Sequence, residues 1–307
     1  MSLPIQLELP KGFLEPEARD GYEVSEKLKK IWAVELDLLS EFDRVCKKYH
    51  LRYLIAYGSM IGAVRHHGFI PWDDDLDVWV PRCDYEILRT VAVKEFKHPY
   101  FLQTTRSDAA FFNLFSRLRN SETTALVLDK ASPNYNCGIF IDIYPVDHPV
   151  NNKMLERVFI QMQKMVARCA CINRGATVGK SRWKSVAANV LLFWAKLIPF
   201  AAWSNLYDWT LMRGKPNGMY APMFSICPHE RDIRISEADF DDPVLMKFEM
   251  LQVPMARDYD KMMRVFYGDY MQFPPASERG KWHEGEILFD PDTPYKKWFA
   301  EHPEVRV

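Results

Sequence analysis

Cysteine is sparse and scattered in this chain. The six, Cys46, Cys83, Cys137, Cys169, Cys171 and Cys227, include no C-x-x-C pair, which argues against a cysteine-rich zinc site. In a chain of 307 residues they do not form a disulfide framework either, and a reduced compartment follows. Thirteen glycines and 20 prolines are too few for a collagen-like or low-complexity protein. An excess of one charge is also missing: 40 Lys and Arg against 41 Asp and Glu leave a net charge of −1. That is not the basic excess of a non-specific nucleic-acid binder, so no nucleic-acid partner is expected. A local phosphate site stays open. Met1 to Glu17 shows no basic segment followed by an apolar one, so no signal peptide is read and a cytoplasmic location is expected. The longest apolar stretch, Val186 to Ala202, is 17 residues and is interrupted by Asn189, Lys196 and Pro199. That is at the lower limit for a bilayer span, which takes about 20 residues. A buried helix is the simplest reading. With Lys180, Arg182 and Lys184 ahead of it, peripheral contact with the inner face of a membrane is the alternative.

What is present is an ordinary globular composition, 48% hydrophobic and 26% charged. The pattern divides the chain into an N-terminal extension (1–22), a strand-rich α/β core (23–150), a helical middle segment (151–230) and a C-terminal return (231–307). Leu28, Ile31, Leu38, Phe42 and Val45 recur at helical spacing between Lys27, Lys29, Lys30, Glu41 and Lys47, predicting an amphipathic helix over 23–50. Tyr53 to Tyr57, Asp77 to Val80, Phe111 to Arg119, Thr123 to Leu128 and Gly138 to Tyr144 are β-prone. Asp84 to Val93, Met154 to Cys169 and Tyr259 to Tyr267 are predicted helices.

The chemistry concentrates in Trp72-Asp73-Asp74-Asp75-Leu76-Asp77-Val78-Trp79-Val80. On a strand, Asp73, Asp75 and Asp77 would share one face and repel, and a divalent cation would offset that repulsion. A solvated acidic turn is the bland alternative. Asp73-Asp74-x-x-Asp77 also fits a D-D-x-x-D helix motif, and Asp75-x-Asp77 the D-x-D of many glycosyltransferases, but neither is specific alone. Upstream stands Gly58-Ser59, where a strand ought to give way to a helix. Such a turn offers backbone N–H groups and a hydroxyl to a phosphate, though Ser59 also suits a plain N-cap. Downstream, Asp142 sits mid-strand with Ile139, Ile141 and Ile143 on the opposite face. A buried charge there requires a metal, a hydrogen-bond network or an arginine such as Arg117 or Arg119.

The run Gly58-Ser59-Met60-Ile61-Gly62-Ala63-Val64-Arg65-His66-His67-Gly68-Phe69-Ile70-Pro71-Trp72-Asp73-Asp74-Asp75-Leu76-Asp77 closely resembles the signature of the LicD family. Further blocks resemble it in the same order: Pro81-Arg82 with Asp84-Tyr85, Phe140 to Asp147, Phe248-Glu249, Tyr267 to Met271, and Pro274-Pro275 followed by His283. Ser59 replaces the commoner threonine and Met60-Ile61 a leucine pair, and no charged group is lost. The cysteine zinc element of fukutin-type animal relatives finds no match.

The resemblance implies a nucleotidyltransferase-like fold, a mixed sheet with flanking helices. It implies an enzyme that moves phosphocholine or a polyol phosphate from a CDP-linked donor to a cell-surface glycan, with lipid-linked glycans among the acceptors. Carried over are Gly58 and Ser59 for donor phosphate, Asp75 and Asp77 as ligands of Mg²⁺ or Mn²⁺, and Asp142 as third carboxylate. Arg65 and Arg82 are carried over as donor contacts. Asp142 or Asp73 could take the acceptor proton. His66 and His283 are further candidates for the donor side. Choline would suit an aromatic cage, for which Trp72, Trp79, Tyr144 and Trp282 are available. Transfer of the nucleotide itself, or a non-catalytic nucleotide- or glycan-binding role, would use the same residues.

Overall fold

The computed structural model describes residues 3–173, 193, 195–223, 233–280 and 287–305. Most of the basic and apolar stretch 180–202, as well as Trp282 and His283, lies outside them. Among the described residues no helix is long and apolar enough to cross a membrane.

Strands β1 (Glu17–Arg19) and β2 (Tyr22–Val24) form a hairpin that leads into helix α1 (Glu26–Tyr49). Ser25 caps α1 by accepting a hydrogen bond from the Leu28 N–H, and His50 ends it in the left-handed region. Then come β3 (Leu54–Ile55), α2 (Tyr57–Ile61), a π-helical turn (Gly62–His66), β4 (Asp77–Pro81), α3 (Arg82–Glu95), β5 (Tyr100–Gln103), β6 (Ser116–Asn120), β7 (Thr124–Val127) and β8 (Ile139–Val146). Five of these strands make one mixed sheet in the order β3-β4-β8-β6-β5, with β4 and β8 parallel and the other neighbours antiparallel. The chain is thus a mixed α/β protein.

After the sheet come α4 (Lys153–Asn173) and α5 (Phe200–Leu211), which pack on each other, and then β9 (Met219–Tyr220), β10 (Ile235–Ser236) and α6 (Glu237–Asp241). A hairpin of β11 (Val244–Phe248) and β12 (Leu251–Met255) precedes α7 (Tyr259–Tyr267), β13 (Ile287–Asp290) and α8 (Tyr295–Glu301). Strand β13 returns to pair with β7.

Residues directly opposite in a sheet share a face. The register therefore puts Val78, Ile143, Ile141, Ile139 and Leu118 on one face and Asp77, Asp142 and Arg117 on the other. The apolar face is covered by α1 and α3. Tyr85 of α3 hydrogen-bonds Ser116 there, and Asp37 of α1 bonds the Tyr100 hydroxyl. Each fully buried isoleucine contributes about 1.5–3 kcal/mol.

Helix α1 departs from the amphipathic expectation. Every residue from Ile31 to Leu39 is buried, Glu35 and Asp37 included. The N-terminal segment is the reason for Asp37, whose carboxylate accepts from the Gln6 and Leu7 N–H groups at 2.8 Å each. Chain that the sequence leaves as an extension lies across the helix.

Candidate active site

The acidic motif is an irregular segment that leaves a turn at Pro71-Trp72 and feeds a strand. The expectation that Asp73, Asp75 and Asp77 line one strand face is corrected by the backbone. Strand β4 begins only at Asp77, and the Asp73 N–H bonds the Ile70 carbonyl in a turn. Two contacts fix the turn. The Trp32 Nε1–H of α1 donates to the Asp73 carbonyl at 2.9 Å, and Trp32 stacks on Phe69. The Asp142 N–H donates to the Leu76 carbonyl at 2.9 Å.

Asp77 is the focal carboxylate. It is 7% exposed, and its Oδ1 is buried without a hydrogen-bond partner among the described residues. Burial pushes its pKa well above the carboxylate range, Asp75, Asp142 and Asp73 add to the rise, and Arg117 opposes it. Glu35 behaves alike: its Oε2 is buried and unpartnered, and burial and the four aspartates 73, 74, 75 and 77 raise its pKa strongly.

The neighbouring strands extend this point into a row. Asp77 lies opposite Asp142, Asp142 opposite Arg117, and Arg117 opposite Gln103. Arg117 grips Asp142 with two bonds, Nε to Oδ1 at 2.6 Å and Nη2 to Oδ2 at 3.2 Å, while the Tyr144 hydroxyl donates to Oδ2 at 3.2 Å. Of the two arginines the sequence offered to Asp142, Arg117 is the partner. Arg119 instead bonds Gln103 and the Gly138 carbonyl.

The Gly58-Ser59 block abuts this row. Helix α2 starts at Tyr57, with Ala56 in the cap position, so Ser59 lies in the first turn and is not the N-cap. Its Oγ accepts from the Asp77 N–H at 3.0 Å. A Cβ built on Gly58 would stand 3.2 Å from Asp73 Oδ2, so the missing side chain lets the turn close on the helix start. Tyr57 is held at φ 46°, a strained value for a bulky residue that fits a functional turn.

Arg65 and His66 end the π-helical turn on the other side of Trp72. Arg65 donates through Nη1 to the carbonyls of Tyr270 (2.6 Å) and Gln272 (3.2 Å) and through Nε to His66 Nε2 (2.8 Å). His66 Nδ1 lies 2.6 Å from an Asp20 oxygen. Because Nε2 accepts from Arg65, the ring is the neutral tautomer that donates to Asp20 through Nδ1, and burial lowers its pKa.

Arg82 lies elsewhere. It follows β4, about 16 Å along the strand from Asp77 at roughly 3.3 Å per residue. Its guanidinium grips Asp147 at 2.9 and 2.7 Å and reaches Asp208 at 3.2 Å. That contact set makes it a buried tie between sheet and α5. Trp79 and Tyr144, available to the sequence as cage walls, pack with Tyr57, Phe266 and Phe115. Trp79 is fully buried and Tyr144 6% exposed, so this cluster is core.

Three carboxylates of the site had no role in the sequence pattern. Glu35 was hidden in a helical pattern. Asp20 sits far from its partner His66 in sequence. Glu249, quoted only within a motif block, accepts from the Phe69 N–H and from Arg19 and locks the Gly68 turn. The one available signal was Phe248-Glu249 itself.

The unpartnered Asp77 Oδ1 suits a hard cation with Asp75 as neighbour. Asp142 faces Arg117, and among the described residues no three His, Cys, Asp or Glu side chains form a ready-made metal shell.

The LicD/FKTN/FKRP nucleotidyltransferase domain family matches residues 50–172. The lipopolysaccharide cholinephosphotransferase LicD of Haemophilus influenzae is 25% identical over 262 residues, 81% of this chain and 92% of its own. An uncharacterised Rickettsia typhi protein is 40% identical over 60 residues, 19% of this chain and 18% of its own. The matched span contains the Gly-Ser turn, the acidic turn and the Asp77–Asp142–Arg117 row. The resemblance read from the sequence is thus matched by that family's domain over residues 50–172.

Proposed function

We propose that this chain is a phosphotransferase that moves phosphocholine from a CDP-linked donor to a hydroxyl of a cell-surface glycan of the lipopolysaccharide type. The named activity of the Haemophilus relative supports the head group and the acceptor class. The observation that carries the chemistry is the buried, unpartnered Asp77 Oδ1 in a row of charged side chains beside the Gly58-Ser59 turn.

Asp77 and Asp75 would hold Mg²⁺ or Mn²⁺, which supplies charge neutralisation of the donor diphosphate. The Ser59 hydroxyl, which accepts from the Asp77 N–H, keeps its own proton to donate to a phosphate oxygen. Arg65 offers a planar cation from the far side of Trp72. The acceptor hydroxyl oxygen attacks the phosphorus distal to cytidine. The bond from that phosphorus to the bridging oxygen breaks, and CMP leaves with the electron pair. Asp142 is buried under Arg117 and Tyr144, whereas Asp73 is half-buried beside Gly58, so Asp73 is the better placed base for the hydroxyl proton. Arg117 orients Asp142 and moderates the charge on Asp77.

A donor screen with CDP-choline, CDP-ribitol, CDP-glycerol and nucleoside triphosphates tests this reading. CDP-choline should yield CMP and a glycan that carries phosphocholine. A glycan that carries the nucleotide, or preference for a polyol donor, would refute it.

A further inference from the structure

We propose that Arg279, outside the matched domain, is a second phosphate contact of the donor site and acts with Arg65 beside the Trp72–Phe273 pair. The inference rests on the donor reading above and adds a residue to it.

The guanidinium carbon of Arg65 lies 5.8 Å from the Trp72 ring centre and 5.0 Å from that of Phe273. That of Arg279 lies 4.9 and 5.4 Å from the same two rings. Two cations therefore share one aromatic pair. Among the described residues neither has a carboxylate oxygen within ion-pair distance. Arg65 bonds the Tyr270 and Gln272 carbonyls and His66. Arg279 bonds the Pro274 carbonyl at 3.0 Å and reaches that of Asp20 at 3.5 Å. Carbonyl oxygens orient a guanidinium without neutralising it. His66 carries no counter-charge, and the carboxylate of Asp20 bonds His66.

This arrangement costs electrostatic energy without a ligand. Burial and the charge of Arg279 both disfavour the Arg65 cation, opposed by Asp20 and Asp73 at longer range. A multivalent anion between the two would remove the repulsion, and two planar forks suit phosphate oxygens. The position is right for it, since Trp72 directly precedes Asp73, whose side chain closes on Gly58. Donor phosphate oxygens turned away from Asp75 and Asp77 would meet the arginines.

A structural latch that ties residues 270–280 to the π-helical turn is the competing account. The full chain should be compared with Arg279→Ala and Arg279→Gln, the second variant keeping a polar stem if the first fails to fold. Calorimetry with CDP, inorganic pyrophosphate and cytidine would accompany the KM for CDP-choline. A lost charge-assisted bond should weaken CDP and pyrophosphate binding and raise the donor KM by about tenfold or more. Cytidine binding and the melting temperature should stay near parental values. Unchanged CDP and pyrophosphate affinity in the Gln variant would overturn the proposal, as would equal weakening of CDP and cytidine. If the parent binds CDP but does not turn over CDP-choline, the head-group reading fails while the arginine site stands on the pyrophosphate data.

Discussion

The side chains of Arg117 and Asp142 are each 9% exposed and joined by two N–H to oxygen bonds. Removing one partner of such a pair leaves an uncompensated buried charge, at a cost of about 3–5 kcal/mol. Arg117→Met should therefore lower stability by roughly that amount in urea unfolding, and a loss under ~1 kcal/mol would show the pair to be loosely hydrated. Glu35 gives a prediction of the opposite sign. Its pKa is raised in the fold by burial first and by the aspartates next. The folded chain thus holds a proton that the unfolded chain releases near the ordinary value of 4.5. That preference stabilises the fold below this pH and is lost as pH rises through the folded value. In EDTA the melting temperature should fall as pH climbs above the carboxylate range. Glu35→Gln should flatten that fall and melt higher than the parent at pH 8. A parent whose stability is level from pH 5 to 8 would contradict the buried, protonated state of Glu35.

At the scale of elements, much of the pattern was legible and the exceptions have physical causes. Period-2 alternation put Asp142 and the isoleucines on opposite faces of β8, as the register bears out. Helical spacing placed α4 and α7 to within a few residues. The acidic run misled because alternation alone cannot distinguish a strand from a turn that shares its composition. The strand itself begins where the β-prone run was read, at Asp77. Helix α1 misled because burial by the N-terminal segment is a tertiary effect that no window of α1 records. Arg82 matched a motif position, and its partners Asp147 and Asp208, remote in sequence, left no signal there. The glycines of the Gly62–Gly68 turn were visible as letters, and their reason is steric. A Cβ on Gly68 would fall 2.0 Å from Glu249 Oε1, and one on Gly62 would fall 2.4 Å from the Gly68 carbonyl oxygen. Gly62→Ala, which presses on backbone, should cost about 1–3 kcal/mol and loosen the turn that carries Arg65 and His66. A thermal shift beside the donor KM checks this, and parental values for both would show that the turn yields freely.

Across the whole molecule, the site is assembled from distant parts of the chain. The N-terminal segment contributes Asp20, α1 supplies Trp32 and Glu35, and the C-terminal part supplies Glu249, Phe273 and Arg279. The sequence placed the Gly-Ser turn and the aspartates by motif, but contacts that span 200 residues or more leave no local signal. Even so, the chemistry converges on one atom, the buried Asp77 Oδ1, which has no hydrogen-bond partner among the described residues. The most direct test is release of CMP from CDP-choline by the parent and by Asp77→Asn, with acceptor glycan and Mg²⁺ present. Loss of that carboxylate should cut turnover by on the order of 10²-fold or more, as removal of other electrostatic stabilisers does. The variant should melt no lower than the parent in EDTA, because one of several repelling carboxylates has been removed. Turnover by Asp77→Asn at the parental rate would show that the acidic turn is structural and that the chemistry lies elsewhere.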